Sequence, residues 1–533
     1  MNVSPQFNLW TEPWIRVIRN NRRDDEVSIH ECLLSAHELI ALSDPSPLVV
    51  GGTHRLLAAI LQAIYQPTNI DAIANVLRNG KFDAYKLNKF GREYAQRFDL
   101  FHPQTPFLQT GDVPLDGWKK PAKGQKSDWG SPQPIARLFA EVPVATERTH
   151  FNHVTDEDHQ YCPACCARGL VTVPAFASSG GAGMRPSING VPPIYIFPIG
   201  DTLFETLALS LISSDFQPRA ADPERKLEAI WTTSPPIVQK DYEVSTVGYI
   251  ESLTFPARRM RLYPHSGSAT CTYCGRSTNL YVSNLLFEKG HWLNKKVGVW
   301  DDPFVAFRKK KEELQSIRPE EGKALWREYS YLLLEQDDST LRPRAVQQIV
   351  RLIDREMLKI DQLVRFRCIG IRTDGKAKNF EWLDETLEAP PALLTDIDAA
   401  EYVAEAIQRA TEVASILKNT FNRHFRPERR PSGRDRQDLV RFKSVRDRMI
   451  ADYWRALGLQ FRQFLNGLAS AAVPPQRDNV ANSWVQSIVT LARTCFDAAL
   501  EQIGNRAFEL QARVEAKQAC DAQLNIKREE WLK

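Results

Sequence analysis

Apolar residues recur at helical spacing in four successive stretches between Ala399 and the end of the sequence. Residues three or four apart share one face of a helix, so each stretch predicts a helix with one buried stripe. Breaks at 427–433, 474–475 and near Gly504 leave short connections, and four such helices pack most simply as an antiparallel four-helix bundle, which we expect over 391–533. The stripes are Val403, Ile407, Ala410, Ala414, Leu417 and Phe421; Leu439, Phe442, Val445, Met449, Tyr453 and Leu457; Trp484, Ile488, Leu491 and Cys495; and Phe508, Ala512 and Leu524.

The first 390 residues follow a different pattern. Short apolar runs rich in Val, Ile and Phe are separated by Pro, Gly and Asn, with helices such as 344–359 between them. Val364 to Arg372 and Asn379 to Trp382 predict two strands of a hairpin, because Asp374-Gly375 is a strong turn sequence. The fold class predicted from these patterns is α+β: a large irregular α/β domain over 1–390, ending at Pro390-Pro391, followed by the bundle.

Composition and charge narrow the class of protein without naming a partner. The chain has 533 residues, of which 43% are hydrophobic and 25% charged, so wholesale disorder is excluded. The formal net charge is only +4. Residues 1–20 lack the apolar core of a secretory signal. The best membrane candidate, 203–212, has about half the length that spans a bilayer, so it is predicted to be a buried amphipathic helix. We therefore expect a cytoplasmic protein.

Two Cys-x-x-Cys pairs give the strongest chemical prediction. Cys162 and Cys165 form the first pair, and Cys271 and Cys274 form the second, roughly a hundred residues later. Two such knuckles complete a tetrahedral Zn²⁺ site of four thiolates, which leaves no position for water and is therefore structural. Cys166 is a spare thiol that competes as a ligand. The alternative is that one pair is merely buried.

A glycine-rich loop lies between the knuckles, within 177–189, and holds Gly180, Gly181 and Gly183. Backbone without side chains can lie against a ligand or a duplex groove and donate N–H groups. The loop matches neither the dinucleotide fingerprint nor the P-loop, and an ordinary surface loop is the alternative. We expect the zinc to bring this loop and the flanks of both knuckles, including Lys289, into one neighbourhood.

A basic stretch lies in the predicted bundle. Residues 423–448 contain ten Lys or Arg and four acids, a net charge of +6. Phe425 and Phe442 are interleaved with these cations. The pattern predicts either a solvated face or a surface that follows a nucleic-acid backbone.

Several motifs together resemble one known family. They run in order along most of the chain, namely Pro13 to Val17, Pro106 to Thr110, Phe151, the two knuckles, the glycine loop, Lys289 and the C-terminal helices. In this order and spacing the chain resembles the CasA family, the large subunit of the type I-E CRISPR surveillance complex, Cascade. The resemblance implies an α+β domain followed by a four-helix bundle, which agrees with the patterns above.

The resemblance also implies a function. Members of this family are not enzymes; they check duplex DNA for a short motif beside the target, the PAM, and help to open the duplex. The implied partners are the other Cascade subunits, the CRISPR guide RNA, target double-stranded DNA and a helicase-nuclease that the complex recruits, in antiviral defence. The implied cofactor is structural Zn²⁺.

The family's DNA-binding residues map onto this sequence by position. The implied contacts are the PAM loop Phe151, Asn152 and His153, the glycine loop Gly181, Ala182 and Gly183, the lysine finger Lys289, and the wedge Asp374, Gly375 and Lys376. Gly375 stands where the family has a glutamine, so the wedge departs from the pattern. A minor groove about 6 Å wide admits bare backbone and one slim side chain, and its similar acceptors for A·T and T·A predict tolerance of several PAMs.

Two other function classes remain as alternatives. His150, Asn152, His153 and His159 beside a Cys-x-x-Cys pair suggest an HNH-like zinc-ribbon nuclease, in which histidines hold a divalent cation and activate water. Against it, Asn152 adjoins His153 with no helix between them. The other alternative is a zinc-stapled scaffold that binds only protein partners.

Overall fold

The computed structural model describes most of the chain. The described residues are 5–113, 115, 132–142, 159–179, 183–234, 236–310, 313–334, 340–358, 363–374, 379–425 and 433–532. Seven predicted contact residues lie outside these ranges, namely Phe151, Asn152, His153, Gly181, Ala182, Gly375 and Lys376.

The chain divides into two compact units. The first comprises Met1–Glu320, Leu341–Lys359 and Val364–Glu388, and the second comprises Glu321–Thr340, Ile360–Leu363 and Ala389–Lys533. The second unit thus takes in two segments from before residue 390 as well as the helical C-terminal part.

Helices and strands are mixed along the described residues, as the patterns predict. The strands are β1 (Ile15–Arg19), β2 (Asp24–Val27), β3 (Leu39–Leu42), β4 (Gln133–Pro134), β5 (Tyr195–Ile199), β6 (Tyr242–Val244), β7 (Arg258–Thr270), β8 (Ser277–Lys289), β9 (His291–Leu293), β10 (Phe307–Lys310), β11 (Glu313–Ser316), β12 (Thr340–Leu341), β13 (Val364–Thr373) and β14 (Asn379–Ala389). The helices are α1 (Ile29–Leu34), α2 (Pro47–Tyr65), α3 (Ile70–Arg78), α4 (Ala84–Tyr94), α5 (Pro163–Phe176), α6 (Leu203–Leu209), α7 (Tyr249–Leu253), α8 (Tyr329–Leu333), α9 (Arg344–Asp354), α10 (Pro391–Thr395), α11 (Ile397–His424), α12 (Gly433–Ser470), α13 (Pro474–Glu501) and α14 (Ala507–Trp531).

A long hairpin of β7 and β8 dominates the first unit. The two strands pair antiparallel from Arg258 opposite Lys289 at one end to Thr270 opposite Ser277 at the other. β4 adds to the outer edge of β8, which gives the sheet order β4-β8-β7. This hairpin carries the second cysteine knuckle in its turn and Lys289 at the end of β8.

The core of the first unit is built around α2 and α5. These helices approach so closely that a Cβ on Gly52 of α2 would lie 2.3 Å from the carbonyl oxygen of Val171 in α5. α2 is 19 residues long and meets the length and composition of a membrane span, but 83% of that window is buried within the structure. The helix that passes the test for a membrane span is thus α2 and not 203–212. Residues 203–209 form the buried helix α6, which confirms the prediction of a buried helix in that segment.

Strands β13 and β14 form the hairpin predicted around Asp374-Gly375. The second strand continues to Ala389, seven residues beyond the Trp382 expected from the sequence. β13 also pairs antiparallel with β5, so the sheet order is β14-β13-β5. The hairpin is therefore anchored on one side by a buried strand of the first unit.

The second unit contains the four helices predicted from the apolar spacing. α11 packs against α12, α13 and α14, and α13 packs against α12 and α14. Trp326, from the segment before residue 390, lies among Trp454, Phe461 and Trp484, with ring centroids 4.7–6.5 Å away. That packing explains why 321–340 belongs to this unit. The antiparallel arrangement of the four helices stays a prediction.

The buried stripe of the last helix differs from the predicted one. Phe508 is 54% exposed and Ala512 is only partly buried, whereas Leu524 is buried as expected. The residues that α14 buries include Ala516 and Cys520 instead. The error arose because the largest apolar side chain of a weakly patterned helix was assigned to the core, although its position places it on the opposite face.

Candidate functional site

The four cysteines of the two knuckles come together in the first unit. Cys162 is the N-cap of α5 and Cys165 lies in its first turn, while Cys271 and Cys274 lie in the turn of the β7–β8 hairpin. Their sulfur atoms all lie within 4.8 Å of one another, and those of Cys162 and Cys274 are 3.8 Å apart. Four thiolates about 2.3 Å from a tetrahedral ion lie about 3.8 Å apart. The arrangement therefore fits a metal ion; we call these four residues the cysteine end.

The surroundings of the sulfur atoms support binding of a cation. The Cys162 backbone N–H donates to the Cys271 sulfur at 3.3 Å, and the Arg168 guanidinium donates to the Cys165 sulfur at 3.6 Å. Hydrogen bonds with Cys162 and Cys271 raise the pKa of Cys165, whereas hydrogen bonds from Cys162 and Cys165 lower that of Cys271. The neighbouring thiols thus favour a thiolate at Cys271 and oppose one at Cys165, and a bound cation would stabilise both as thiolates.

The spare thiol of Cys166 is not part of this group. Its sulfur contacts the Tyr161 carbonyl oxygen at 3.8 Å, and burial raises its pKa well above the ordinary value. Among the described residues, only the four predicted cysteines form a cluster able to hold a metal ion.

Lys289 lies far from the cysteine end. The knuckle occupies the turn of the hairpin, whereas Lys289 is the last of the 13 residues of β8. At about 3.3 Å per residue, the strand separates the two by about 40 Å. The prediction that a metal brings Lys289 into the neighbourhood of the knuckles is therefore wrong, because the length of the hairpin keeps them apart.

Gly183 of the glycine loop, however, lies directly beside Lys289. Its φ is +71°, in the left-handed region that glycine adopts without strain. A Cβ at this position would lie 3.3 Å from the Lys289 Nζ atom. The structure thus brings together the two described members of the predicted loop-and-lysine pair, with bare backbone against an ammonium group.

A buried arginine holds the glycine loop at both of its ends. Arg258 Nη2 donates to the Ser178 carbonyl oxygen at 2.5 Å, and Nη1 donates to the Arg185 carbonyl oxygen at 2.7 Å. Burial lowers the pKa of Arg258 to about 10, so the guanidinium stays charged at neutral pH. Because Arg258 pairs with Lys289 across the hairpin, one strand pair both fixes the loop and presents the lysine.

Two further charged residues, Asp241 and Arg185, form a chain of ion pairs with Lys289. The Asp241 carboxylate lies 3.4 Å from the Lys289 Nζ atom and 3.3 Å from the Arg185 Nε atom. Partial desolvation raises the pKa of Asp241, but the hydrogen bond from Arg185 and the charge of Lys289 outweigh it and hold the pKa below its ordinary value. The Arg185 guanidinium lies over the Trp292 ring, 3.8 Å from the centroid. We call Gly183, Arg185, Asp241 and Lys289 the lysine end.

The predicted wedge is described only at its base. Asp374 is exposed after the end of β13, and the Arg372 Nε atom donates to Glu381 of β14 at 2.7 Å. This ion pair joins the two strands just below the tip. Arg372 is therefore part of the hairpin framework.

Three described arginines of the basic stretch have partners within the second unit. Arg446 donates to Asn422 at 3.0 Å, Arg448 donates to Gln502 at 3.4 Å, and Arg441 forms an ion pair with Glu509. The interleaved aromatic rings, Phe425 and Phe442, pack on each other with centroids 5.5 Å apart and are buried. These contacts favour a structural role for this part of the stretch over a stacking surface for bases.

The residues of the nuclease alternative are mostly outside the described ranges. His159 is described, and its ring lies 6.0 Å from that of Tyr161. Tyr161 pairs with Val282 of β8 through two backbone hydrogen bonds of 2.9 Å. His159 thus adjoins the segment that holds the first knuckle against the hairpin.

Sequence reasoning missed Arg258, Asp241 and Arg185. Each is a single charged residue with no motif around it, and the partners lie 48 to 80 positions apart along the chain. The pairing of β7 with β8 and the hydrogen bonds that join Asp241 and Arg185 to this strand pair bring them together, so no local pattern in the sequence pointed to them.

Comparison with known proteins gives consistent matches. The model of the family CRISPR-associated protein Cse1 matches residues 8–495. CRISPR-associated protein CasA/Cse1 of Thermus thermophilus is 29% identical over 433 residues, which cover 79% of this chain and 78% of that protein. The crystal structure of CRISPR-associated protein Cse1 from Acidimicrobium ferrooxidans aligns with a TM-score of 0.77 at 20% identity, over 100% of both chains. A chain of a CRISPR RNA-guided surveillance complex aligns with a TM-score of 0.73 at 18% identity, over 98% of this chain and 100% of that one. The structural matches show a shared fold.

Proposed function

The chain belongs to the CRISPR-associated protein Cse1 family, and from this premise we propose that it recognises the PAM in target double-stranded DNA. In this proposal the protein is the non-catalytic large subunit of a type I-E surveillance complex, Cascade. Its partners are the other subunits, the CRISPR guide RNA and the target duplex. The complex then recruits a helicase-nuclease, in the cytoplasm, as part of antiviral defence.

One observation carries the proposal: Gly183 presents bare backbone directly beside the Lys289 ammonium group. The minor groove of B-DNA is about 6 Å wide and displays mainly acceptor atoms, so a glycine turn with one lysine matches it in shape and in charge. Gly181 and Ala182 extend the same loop, and Phe151, Asn152 and His153 supply the remaining contacts near the PAM. Readout of this kind tolerates several related PAMs.

The hairpin of β13 and β14 supplies the step after recognition. Its tip, Asp374, Gly375 and Lys376, intrudes between the strands beside the PAM. Unstacking a base step costs a few kcal/mol, which is offset when the guide RNA pairs with the freed strand and the R-loop grows. A glycine at the tip removes the side chain that would stack, so here the hairpin backbone and Lys376 act as the wedge.

The cysteine end holds structural zinc in this proposal. Cys162, Cys165, Cys271 and Cys274 are the ligands, and the ion cross-links the start of α5 to the turn of the hairpin. A site closed by four thiolates has no open position for water, so the ion performs no chemistry. Its contribution is to the rigidity of the hairpin whose far end carries Lys289.

The experiment is duplex binding by the reconstituted complex, with and without this subunit, against a library of target-flanking sequences. We expect a restricted set of flanking motifs to be bound only when the subunit is present. Lys289→Ala should weaken binding to those duplexes about tenfold, since a good groove contact contributes about 1–3 kcal/mol, while leaving the thermal unfolding temperature unchanged.

Lys240→Ala is the matched control, because Lys240 is a nearby surface lysine whose ammonium group pairs with Glu288 at 2.6 Å. It should retain PAM-dependent binding. Equal affinity of wild type and Lys289→Ala at physiological salt would contradict the proposal. Metal-dependent nicking by the isolated protein that is lost in His153→Ala would instead establish the nuclease alternative.

A further inference from the structure

The Asp241 carboxylate joins two cations at the lysine end. One oxygen lies 3.4 Å from the Lys289 Nζ atom and the other lies 3.3 Å from the Arg185 Nε atom. The side chains of Lys289, Asp241 and Arg185 are 32%, 38% and 45% exposed, so the cluster is open to an approaching polyanion. Two positive charges and one negative charge leave a net charge of +1.

The backbone fixes Asp241 in this position. Its φ is +52°, and its N–H donates to the carbonyl oxygen of Lys289 at 3.3 Å, just before β6 begins. The carboxylate is therefore tied to the same residue whose ammonium group it contacts. A surface ion pair between two flexible side chains would not have this constraint.

Arg185 is also held in a fixed position, by contacts of its side chain and of its backbone. Its guanidinium lies 3.8 Å from the centroid of the Trp292 ring, and its carbonyl oxygen accepts a hydrogen bond from buried Arg258. The cation–π contact orients the planar group while leaving it partly exposed. Planar guanidinium groups donate to phosphate oxygens through two N–H groups at once, which suits Arg185 to a DNA backbone.

We propose that Asp241 is an internal counter-charge that duplex DNA displaces from Lys289 and Arg185, and that Arg185 is a second cationic contact to the DNA backbone. This inference rests on the proposed function of the lysine end. A phosphate that approaches either cation must replace the carboxylate and is repelled by it. Asp241 therefore weakens the contact and lets the cations be recaptured when the DNA leaves.

The test measures duplex affinity of the reconstituted complex at several salt concentrations. Asp241→Asn keeps the shape of the side chain, and asparagine tolerates the left-handed backbone, so the fold should be preserved. We expect this variant to bind the duplex with PAM about five- to tenfold more tightly and to steepen the salt dependence by about one counterion. Arg185→Ala should weaken binding severalfold and reduce the slope by about one.

Glu243→Gln is the matched control. It removes one negative charge from an exposed residue of β6, two positions along, and should change affinity less than twofold. A second check adds Asp241→Asn to the double variant Lys289→Ala, Arg185→Ala. The gain in affinity should disappear there, because the cations through which Asp241 acts are gone.

The outcomes separate this inference from the function on which it rests. If Asp241→Asn changes duplex affinity no more than Glu243→Gln does, or if its gain in affinity survives in the double variant, the proposed role of Asp241 as a counter-charge is wrong. If Arg185→Ala binds like wild type while Lys289→Ala loses affinity, the second contact is wrong and the proposed function stands. If wild type binds duplexes with and without the PAM equally well, and Lys289→Ala binds both with the same affinity as wild type, both proposals are wrong.

Discussion

The two ends of the β7–β8 hairpin are built in opposite ways. At the cysteine end the four sulfur atoms lie within 4.8 Å of one another, and three of the four cysteines are buried. This arrangement fits a closed metal site. At the lysine end, a glycine in the left-handed region lies beside Lys289, which belongs to a group of partly exposed side chains of both signs. The comparison teaches that one strand pair can present two chemically different surfaces: a largely buried group of sulfur atoms at the cysteine end, and partly exposed charged groups that a ligand can engage at the lysine end.

The largest effect should come from breaking the cysteine end. Cys271→Ser removes one ligand, and because metal binding contributes directly to folding free energy, we expect loss of zinc and a fall of about 10 °C or more in the unfolding temperature. Elemental analysis and a thermal melt measure both. Cys166→Ala is the control, since that thiol lies outside the four-sulfur group, and it should keep about one zinc per chain. Full zinc content in Cys271→Ser would contradict the assignment.

A second change separates stability from binding at the lysine end. Arg258→Met leaves the Ser178 and Arg185 carbonyl oxygens without their donor, at a cost of about 2–4 kcal/mol in free energy of unfolding. We expect faster hydrogen exchange in the backbone around the glycine loop and loss of PAM-dependent duplex binding. Exchange mass spectrometry and the duplex assay measure these two effects.

Arg259→Met is the matched control for that change. Arg259 is the next residue of β7, faces the other side of the sheet, and pairs with Asp112 at 2.9 Å and Glu288 at 3.1 Å. Its loss should cost similar stability without loosening the loop. Equal exchange rates of the loop in both variants would show that Arg258 does not hold it.

The sequence was informative where function depends on local spacing. The Cys-x-x-Cys pairs predicted the four-sulfur group without help from the fold, and helical spacing predicted α11, α12 and α13. Each depends on residues only a few positions apart. The weak stripe of α14 led to the wrong placement of Phe508, because few apolar residues defined its buried face.

The sequence was uninformative where function depends on distant pairing. Gly183 and Lys289 were both selected, but their contact is created by the fold, and a metal was wrongly expected to create it. Arg258 and Asp241 were missed, since an isolated charge carries no pattern until strand pairing assigns it a partner. The separation of the two ends by a 13-residue strand, about 40 Å at 3.3 Å per residue, follows from hairpin register, which spacing alone does not fix.

The smallest effect, and the most direct comparison of the two ends, comes from adding one methyl group at each. Gly183 and Gly275 both have left-handed backbone, with φ of +71° and +76°, so alanine at either costs about 1–2 kcal/mol in free energy of unfolding. A Cβ on Gly183 would lie 3.3 Å from the Lys289 Nζ atom, whereas a Cβ on Gly275 would meet nothing within 4 Å. The two alanine substitutions thus introduce similar backbone strain, but only Gly183→Ala crowds a neighbouring side chain.

We therefore expect Gly183→Ala and Gly275→Ala to lower the unfolding temperature equally, by a few degrees. Only Gly183→Ala should weaken duplex binding, by about three- to tenfold, because the added methyl group displaces the ammonium group and thickens the backbone that enters the groove. Equal loss of binding in both variants would mean that strain transmitted along the hairpin, and not the surface at the lysine end, determines affinity. In that case the two ends would form one mechanical element, and the division of roles between them would be wrong.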